Sequence, residues 1–75
     1  MIKVCELWAL WLYSTVPNSE LIIWSRSETD YILNDELKSE LSSAEIFDIV
    51  NKEVLCFYSG YNKEADKNLL YVNVE

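Results

Sequence analysis

The stretch Leu7–Ser14 reads Leu-Trp-Ala-Leu-Trp-Leu-Tyr-Ser, and every residue before the serine is hydrophobic. Taken as a strand, it carries Leu7, Ala9, Trp11 and Tyr13 on one face and Trp8, Leu10 and Leu12 on the other. Successive side chains of a strand point to opposite faces, so such a strand needs cover on both. One helix covers one face of a small sheet. The other face calls for a layer that a 75-residue chain has little left to supply, so a second copy or a partner protein is expected there.

The rest of the chain punctuates into short elements. Ile2 to Ser14 is assigned as the first strand on its β-branched and aromatic content. A buried helix is the alternative, since Leu7/Trp11 and Trp8/Leu12 are each four apart. Thr15-Val16-Pro17-Asn18-Ser19 is a turn, with Pro17 presetting the backbone and Asn18 tolerating the next position. Glu20 to Trp24 is a second strand, and Tyr31-Ile32-Leu33 a short third that closes against it. Leu33, Leu37 and Leu41 permit a short helix within 34–41. Ser42-Ser43-Ala44-Glu45 is a capping box, so a helix starts at Ser43 and runs to about Lys52. Ile46, Phe47, Ile49 and Val50 form its apolar side. Val54 to Tyr61 and Leu69 to Val74 are the last two strands, with Leu70, Val72 and Val74 facing in. The expected fold is one α+β domain over residues 1–75. It holds an antiparallel sheet of four or five strands with one amphipathic helix across a face, in the order ββ(β)αββ.

A chain this short buries only about 60% of the surface its unfolded form exposes, so oligomerisation is the expected supplement to its core. Cys5 and Cys56 lack metal-like or redox spacing and read as small buried apolar residues of a reducing compartment; a bridge between them requires neighbouring strands. The expected location is cytoplasmic. Lys3 and the apolar run after it imitate a signal peptide, but Glu6 breaks the pattern and no small-residue cleavage site follows. The run is also shorter than the roughly 20 residues a membrane span needs.

The charge is lopsided. Between Glu28 and Glu53 lie eight carboxylates and two lysines, so this part of the chain carries −6 of the net −7. Such a chain is repelled by nucleic-acid phosphates and anionic lipid, and direct binding to either is not expected. Glu28, Asp30, Asp35, Glu36, Glu40, Glu45 and Asp48 are the candidate acidic surface for a basic partner. Carboxylates three or four apart on a helix stand roughly 5–6 Å apart, comparable to phosphates along a strand. The plainer reading is a solvated face that keeps a sticky domain soluble. Trp8, Trp11, Trp24 and Tyr13 are the candidate apolar interface, because Trp and Tyr concentrate in interface hot spots.

Catalysis finds little footing. The chain has no histidine and a single glycine, which removes the commonest general base and any Gly-rich phosphate loop. Ser42 and Ser43 are explained by capping, and Glu36 with Glu40 alone makes no cation site. No cofactor or metal is expected. In size and charge the chain resembles small phage- or plasmid-encoded antagonists, among them anti-CRISPR and anti-restriction proteins that imitate DNA or plug a nucleic-acid channel. The likeness is one of general character, not of motif. The lopsided charge and the surplus of apolar strand surface lead to the expectation of a non-enzymatic inhibitor, a homodimer, acting on a basic host protein such as a nuclease or a Cas-type effector. The alternatives are an assembly subunit that packs through its apolar sheet face, and a small-ligand or nucleotide-sensing dimer.

Overall fold

The computed structural model describes residues 1–14 and 18–75, with the backbone alone for residues 12–14. Its elements are α1 (Val4–Ser14), β1 (Ser19–Ser25), β2 (Asp30–Leu33), α2 (Asp35–Lys38), α3 (Ser43–Val50), β3 (Cys56–Asn62) and β4 (Lys67–Val74). The strands form one four-stranded sheet in the order β2-β1-β4-β3. The α+β class holds. The expected order ββ(β)αββ is met in part, since two strands precede α2 and α3 and two follow but α1 comes first, and the sheet is mixed and not purely antiparallel.

The first correction concerns the opening run, which is a helix and not a strand. Val4, Leu7, Trp8 and Trp11 fall at i, i+3, i+4 and i+7, one face of a helix. Val4 and Leu7 are buried and the two Trp half-buried, while Glu6, Ala9 and Leu10 are exposed. Trp8 and Trp11 therefore share a side, and their rings stack with centroids 5.5 Å apart. The start is capped locally. The Lys3 amide donates to Glu6 Oε1 at 2.9 Å, and the Leu7 amide donates to the Lys3 carbonyl at 3.1 Å. A carboxylate three residues into a helix also meets the positive end of its dipole. The Lys3 segment is anchored further on, since the Val54 amide donates to the Ile2 carbonyl and the Val4 amide to that of Lys52.

The second correction concerns direction. β1 pairs with β2 antiparallel and with β4 parallel, from Ser19↔Asn68 to Ser25↔Val74. Hairpins fix only sequence neighbours as antiparallel. Here β4, with the apolar run Leu69-Leu70-Tyr71-Val72, takes a central place beside β1. The chain reaches it by crossing from β2 at one edge, through α2 and α3, to β3 at the other. The β3–β4 hairpin is antiparallel from Cys56↔Asn73 to Asn62↔Lys67.

Alternation places Leu21, Ile23 and Ser25 of β1 and Leu70, Val72 and Val74 of β4 on one face, all buried. Val4 and Leu7 of α1, Leu33 of β2 and Val54 complete this core, with Ile49 and Val50 of α3 packed against it. The buried Ser25 hydroxyl is fully engaged: it contacts Ser27 Oγ and the Glu75 carbonyl and accepts from the Glu28 amide, each at 3.3 Å.

The capping box and the helix start at Ser43 are present as expected. The Glu45 amide donates to Ser42 Oγ at 3.2 Å, and the Ser42 amide to Glu45 Oε1 at 3.1 Å. The helix stops at Val50, with Asn51 as its C-cap, two residues before the expected end. Phe47 does not join the inward stripe and is 65% exposed. Residues 34–41 hold one turn of helix, capped by Asn34 Oδ1 accepting from the Leu37 amide at 2.7 Å. Of the expected turn after the first element, Thr15, Val16 and Pro17 lie outside the described residues. Asn18 has a φ of 72°, and its side-chain amide donates to the Asp66 carbonyl, tying this end of β1 to the β3–β4 turn.

Two predictions follow from this architecture. Ile23→Ala, at a fully buried position between β2 and β4, should cost about 2–5 kcal/mol in urea unfolding, against about 0.5–1.5 for Ile23→Val. Ser42→Ala should cost about 1 kcal/mol. The Ser42 amide, then its hydroxyl, hold the Glu45 carboxyl below the ordinary glutamate range. The sign follows: this stabilisation is complete above the unfolded glutamate value, about 4.3, and is lost as pH falls through the lower folded value. Helical circular dichroism in acid should therefore change less in Ser42→Ala than in the parent.

Candidate functional site

The helices α1 and α3 cover one face of the sheet. On the other face β1 presents Ile22 and Trp24, and the pairing sets Ile22 beside Tyr71, Trp24 beside Asn73 and Tyr58 opposite Tyr71. A register shift between Ile23 and Trp24 brings Tyr31 of β2 opposite Trp24. The rings then meet in two pairs: Trp24 and Tyr31 edge to face with centroids 4.9 Å apart, Tyr58 and Tyr71 stacked at 4.7 Å. Both geometries suit the aromatic quadrupole. Gly60 makes room for the second pair, since a Cβ there would lie 3.1 Å from the Tyr71 ring. Between the pairs runs a shallow groove of about 280 Å³ lined by Ile22, Trp24, Tyr31, Tyr58, Tyr71 and Asn73.

At one end of this face Lys67 holds two acidic groups. Its Nζ is 2.8 Å from Asp35 Oδ2 and 3.9 Å from Glu20 Oε1, and the Asp35 amide donates to Glu20 Oε2 at 3.0 Å. The hydrogen bond to Asp35 raises the Lys67 pKa. Near the β3–β4 turn, the Tyr61 hydroxyl donates to Asp66 Oδ1, which raises the Tyr61 pKa.

The two edges of the sheet differ. β2 is short, abuts the register shift in β1, and lies beside α2 and α3 with their carboxylates. A smaller cleft of about 130 Å³ brings Asp35 and Lys38 of α2 beside Ile46 of α3 and Trp8 of α1. β3, at the opposite edge, is exposed along its length except at Gly60 and carries no charged residue.

The expected acidic surface is not one patch. Asp30 pairs with Ser25 at one end of β1, whereas Asp35 meets Glu20 at the other, roughly 17 Å away at about 3.3 Å per residue. Glu28 and Asp30 are thus separated from the α2–α3 group. Within that group Asp35 is paired with Lys67, and Glu45 is used in the cap. Among the described residues, no hydrogen bond or ion pair engages the side chains of Glu36, Glu40 or Asp48, and all three residues are exposed. Helix α2 ends at Lys38, so Glu36 and Glu40 do not share a helical face. No group of three or more carboxylates and thiols among the described residues is placed to hold a metal.

The expected apolar interface is also divided. Trp8 and Trp11 lie on the covered side with α1, Trp24 lies on the uncovered face, and the Tyr13 side chain is outside the described residues. Sequence reasoning missed Tyr31, Tyr58 and Tyr71 as partners of Trp24. The parallel β1–β4 register that brings them together left no local trace. Cys5 and Cys56 are free thiols. Cys56 is exposed, contrary to expectation, because β3 is an edge strand.

Comparison with known proteins finds no matching family model, no matching curated protein and no matching solved structure. Among the described residues, no helix is long and apolar enough to cross a membrane.

A tyrosine titration checks the Tyr61 contact. Tyr61 should ionise above the ordinary tyrosine value, and Asp66→Asn, which keeps a side chain suited to the φ of 51° there, should lower it again. Both raised groups stabilise the fold below their unfolded values, about 10 for Tyr and about 10.4 for Lys. That contribution is lost as pH rises through the raised folded values.

Proposed function

We propose that this is a non-enzymatic interaction protein that binds a basic, nucleic-acid-handling protein, such as a nuclease or a Cas-type effector, and blocks its nucleic-acid site. The observation that supports this reading most directly is the α2–α3 flank. From Asp35 to Glu53 it carries six carboxylates and two lysines, and Glu36, Glu40 and Asp48 are exposed there. Carboxylates that serve no internal contact are available to a cationic groove, where they take the places of phosphates. Steering by such a flank acts mainly on the association rate and weakens with salt.

A second reading has its own support. The uncovered sheet face carries Trp24, Tyr31, Tyr58 and Tyr71, with Tyr31 46% and Tyr58 57% exposed. Large aromatics grouped in this way suit an assembly surface, and the groove between them suits a flat aromatic ligand.

The immobilised protein should capture basic nucleic-acid-binding proteins, identified by mass spectrometry, in competition with duplex DNA. Capture should fall at least about tenfold between about 0.05 and about 0.3 M salt. It should also fall in a Glu36→Lys/Glu40→Lys/Asp48→Lys variant and persist in Tyr58→Ser. Salt-insensitive capture lost in Tyr58→Ser would instead favour the sheet-face reading.

A further inference from the structure

We propose that β3 is a pairing edge for a second copy of this chain, the two strands running antiparallel about a two-fold axis at Ser59. The two sheets then become one, with their helices on one side and both aromatic faces on the other. Helices α2 and α3, with the exposed Glu36, Glu40 and Asp48, lie beside β2 at the far edge of each copy, so this surface is separate from the one proposed for a basic partner.

An edge strand offers a row of unpaired amides and carbonyls, and folded proteins usually blunt it with charge, proline, a bulge or short length. β2 shows such protection: four residues, a neighbouring register shift, Asp30 at its start, and α2 and α3 beside it. β3 shows none. It has seven residues, no charge and no proline, and its ladder with β4 runs without a register break.

Charge selects the occupant. The chain carries −7, and two copies repel wherever carboxylates face each other. Residues 54–62 hold no charged side chain, so a second copy can approach here at little electrostatic cost. A basic partner has no carboxylate to meet on this strand.

Symmetry narrows the register. Directly opposed residues share a face, and the two copies are identical, so a residue and not a peptide bond must sit at the axis. With Ser59 there, all seven residues of β3 are paired. Phe57 faces Tyr61 of the second copy, and Tyr58 lies over its Gly60. Both are pairings in which an exposed aromatic gains a neighbour. Lys63 comes toward the strand end where the second copy has Glu53.

The area sets the strength. Leu55, Phe57, Tyr58 and Tyr61 are 41–57% exposed. At roughly 150–250 Å² for each aromatic, they offer on the order of 300–400 Å² per copy, below the roughly 800 Å² of a standard stable interface. The dimer should therefore form and dissociate within the micromolar to millimolar range.

Sedimentation of the full chain from about 1 µM to about 1 mM, which spans that range, should show the mass rise from near the monomer toward twice that value. Ser59→Lys places two ammonium groups at the axis and should stay monomeric with an unchanged circular dichroism spectrum. In a Cys5→Ser/Cys56→Ser background, Ser59→Cys should oxidise to a disulfide dimer at least about tenfold faster than Lys63→Cys, because only position 59 meets itself. This comparison decides the matter if Ser59→Lys fails to fold. A monomer at every concentration overturns the proposal. So does a dimer that survives Ser59→Lys without preferential cross-linking at 59, which would point to the aromatic face instead. Charge reversal on the α2–α3 flank should leave dimerisation intact, so failure here is distinguishable from failure of the partner-binding proposal.

Discussion

The parallel contact of β1 with β4 is the constraint on which the rest of the structure depends. It joins Leu21, Ile23 and Ser25 to Leu70, Val72 and Val74 across seven paired positions, and these six residues floor the core. Both strands are interior: β4 is paired on both sides along most of its length, and β1 pairs with β2 over Ile23–Ser25. Where the strands pair, the ladder itself satisfies the polar groups that water leaves behind. Val4 and Leu7 of α1 then have one apolar surface to cover. Because α1 and α3 both settle on that surface, the opposite one is left to the aromatic rings.

Local signals in the sequence were legible where their chemistry is local. Ser42 and Glu45 satisfy each other within one turn, so the start of α3 could be read from four residues. The inward set Leu70, Val72 and Val74 follows from alternation alone. Residues 7–14 misled because an unbroken apolar run satisfies both periods. The pattern Val4, Leu7, Trp8, Trp11 becomes visible only when the reading starts at the Glu6 cap. The pairing of β4 with β1 depends on strands far apart in sequence, and nothing near either one encodes it. The same non-local step decides which aromatics meet. Trp24, Tyr31, Tyr58 and Tyr71 come from all four strands, whereas residue type alone, as Trp and Tyr of an interface hot spot, grouped Trp24 with Trp8, Trp11 and Tyr13. The acidic residues were visible as a run, but their division between the two ends of β1 depends on the β1–β2 hairpin and on Asp35 turning back to Glu20.

The surface that results is polarised. One sheet edge is flanked by helices and carboxylates, and the other is neutral strand. Between them stands a face of paired rings, closed at one end by Lys67 with Asp35 and Glu20. An ion pair this exposed contributes little to stability. Its position has another effect: it ties the first residue of α2 to β1 and β4, and so fixes where the crossover begins. Fold and charge pattern are thus set by the same few contacts.

The interior position of β4 also bears on how the chain folds in time. Ile23 has no neighbour on that flank until a strand that begins more than forty residues later has been made and threaded into place. The β1–β2 hairpin must wait with its apolar side unshielded, and closing so long a loop precedes any reward from the core. For a domain this small, folding should be slow relative to helical proteins of equal length. During synthesis, the interval before β4 emerges is when the nascent chain is most open to misassociation.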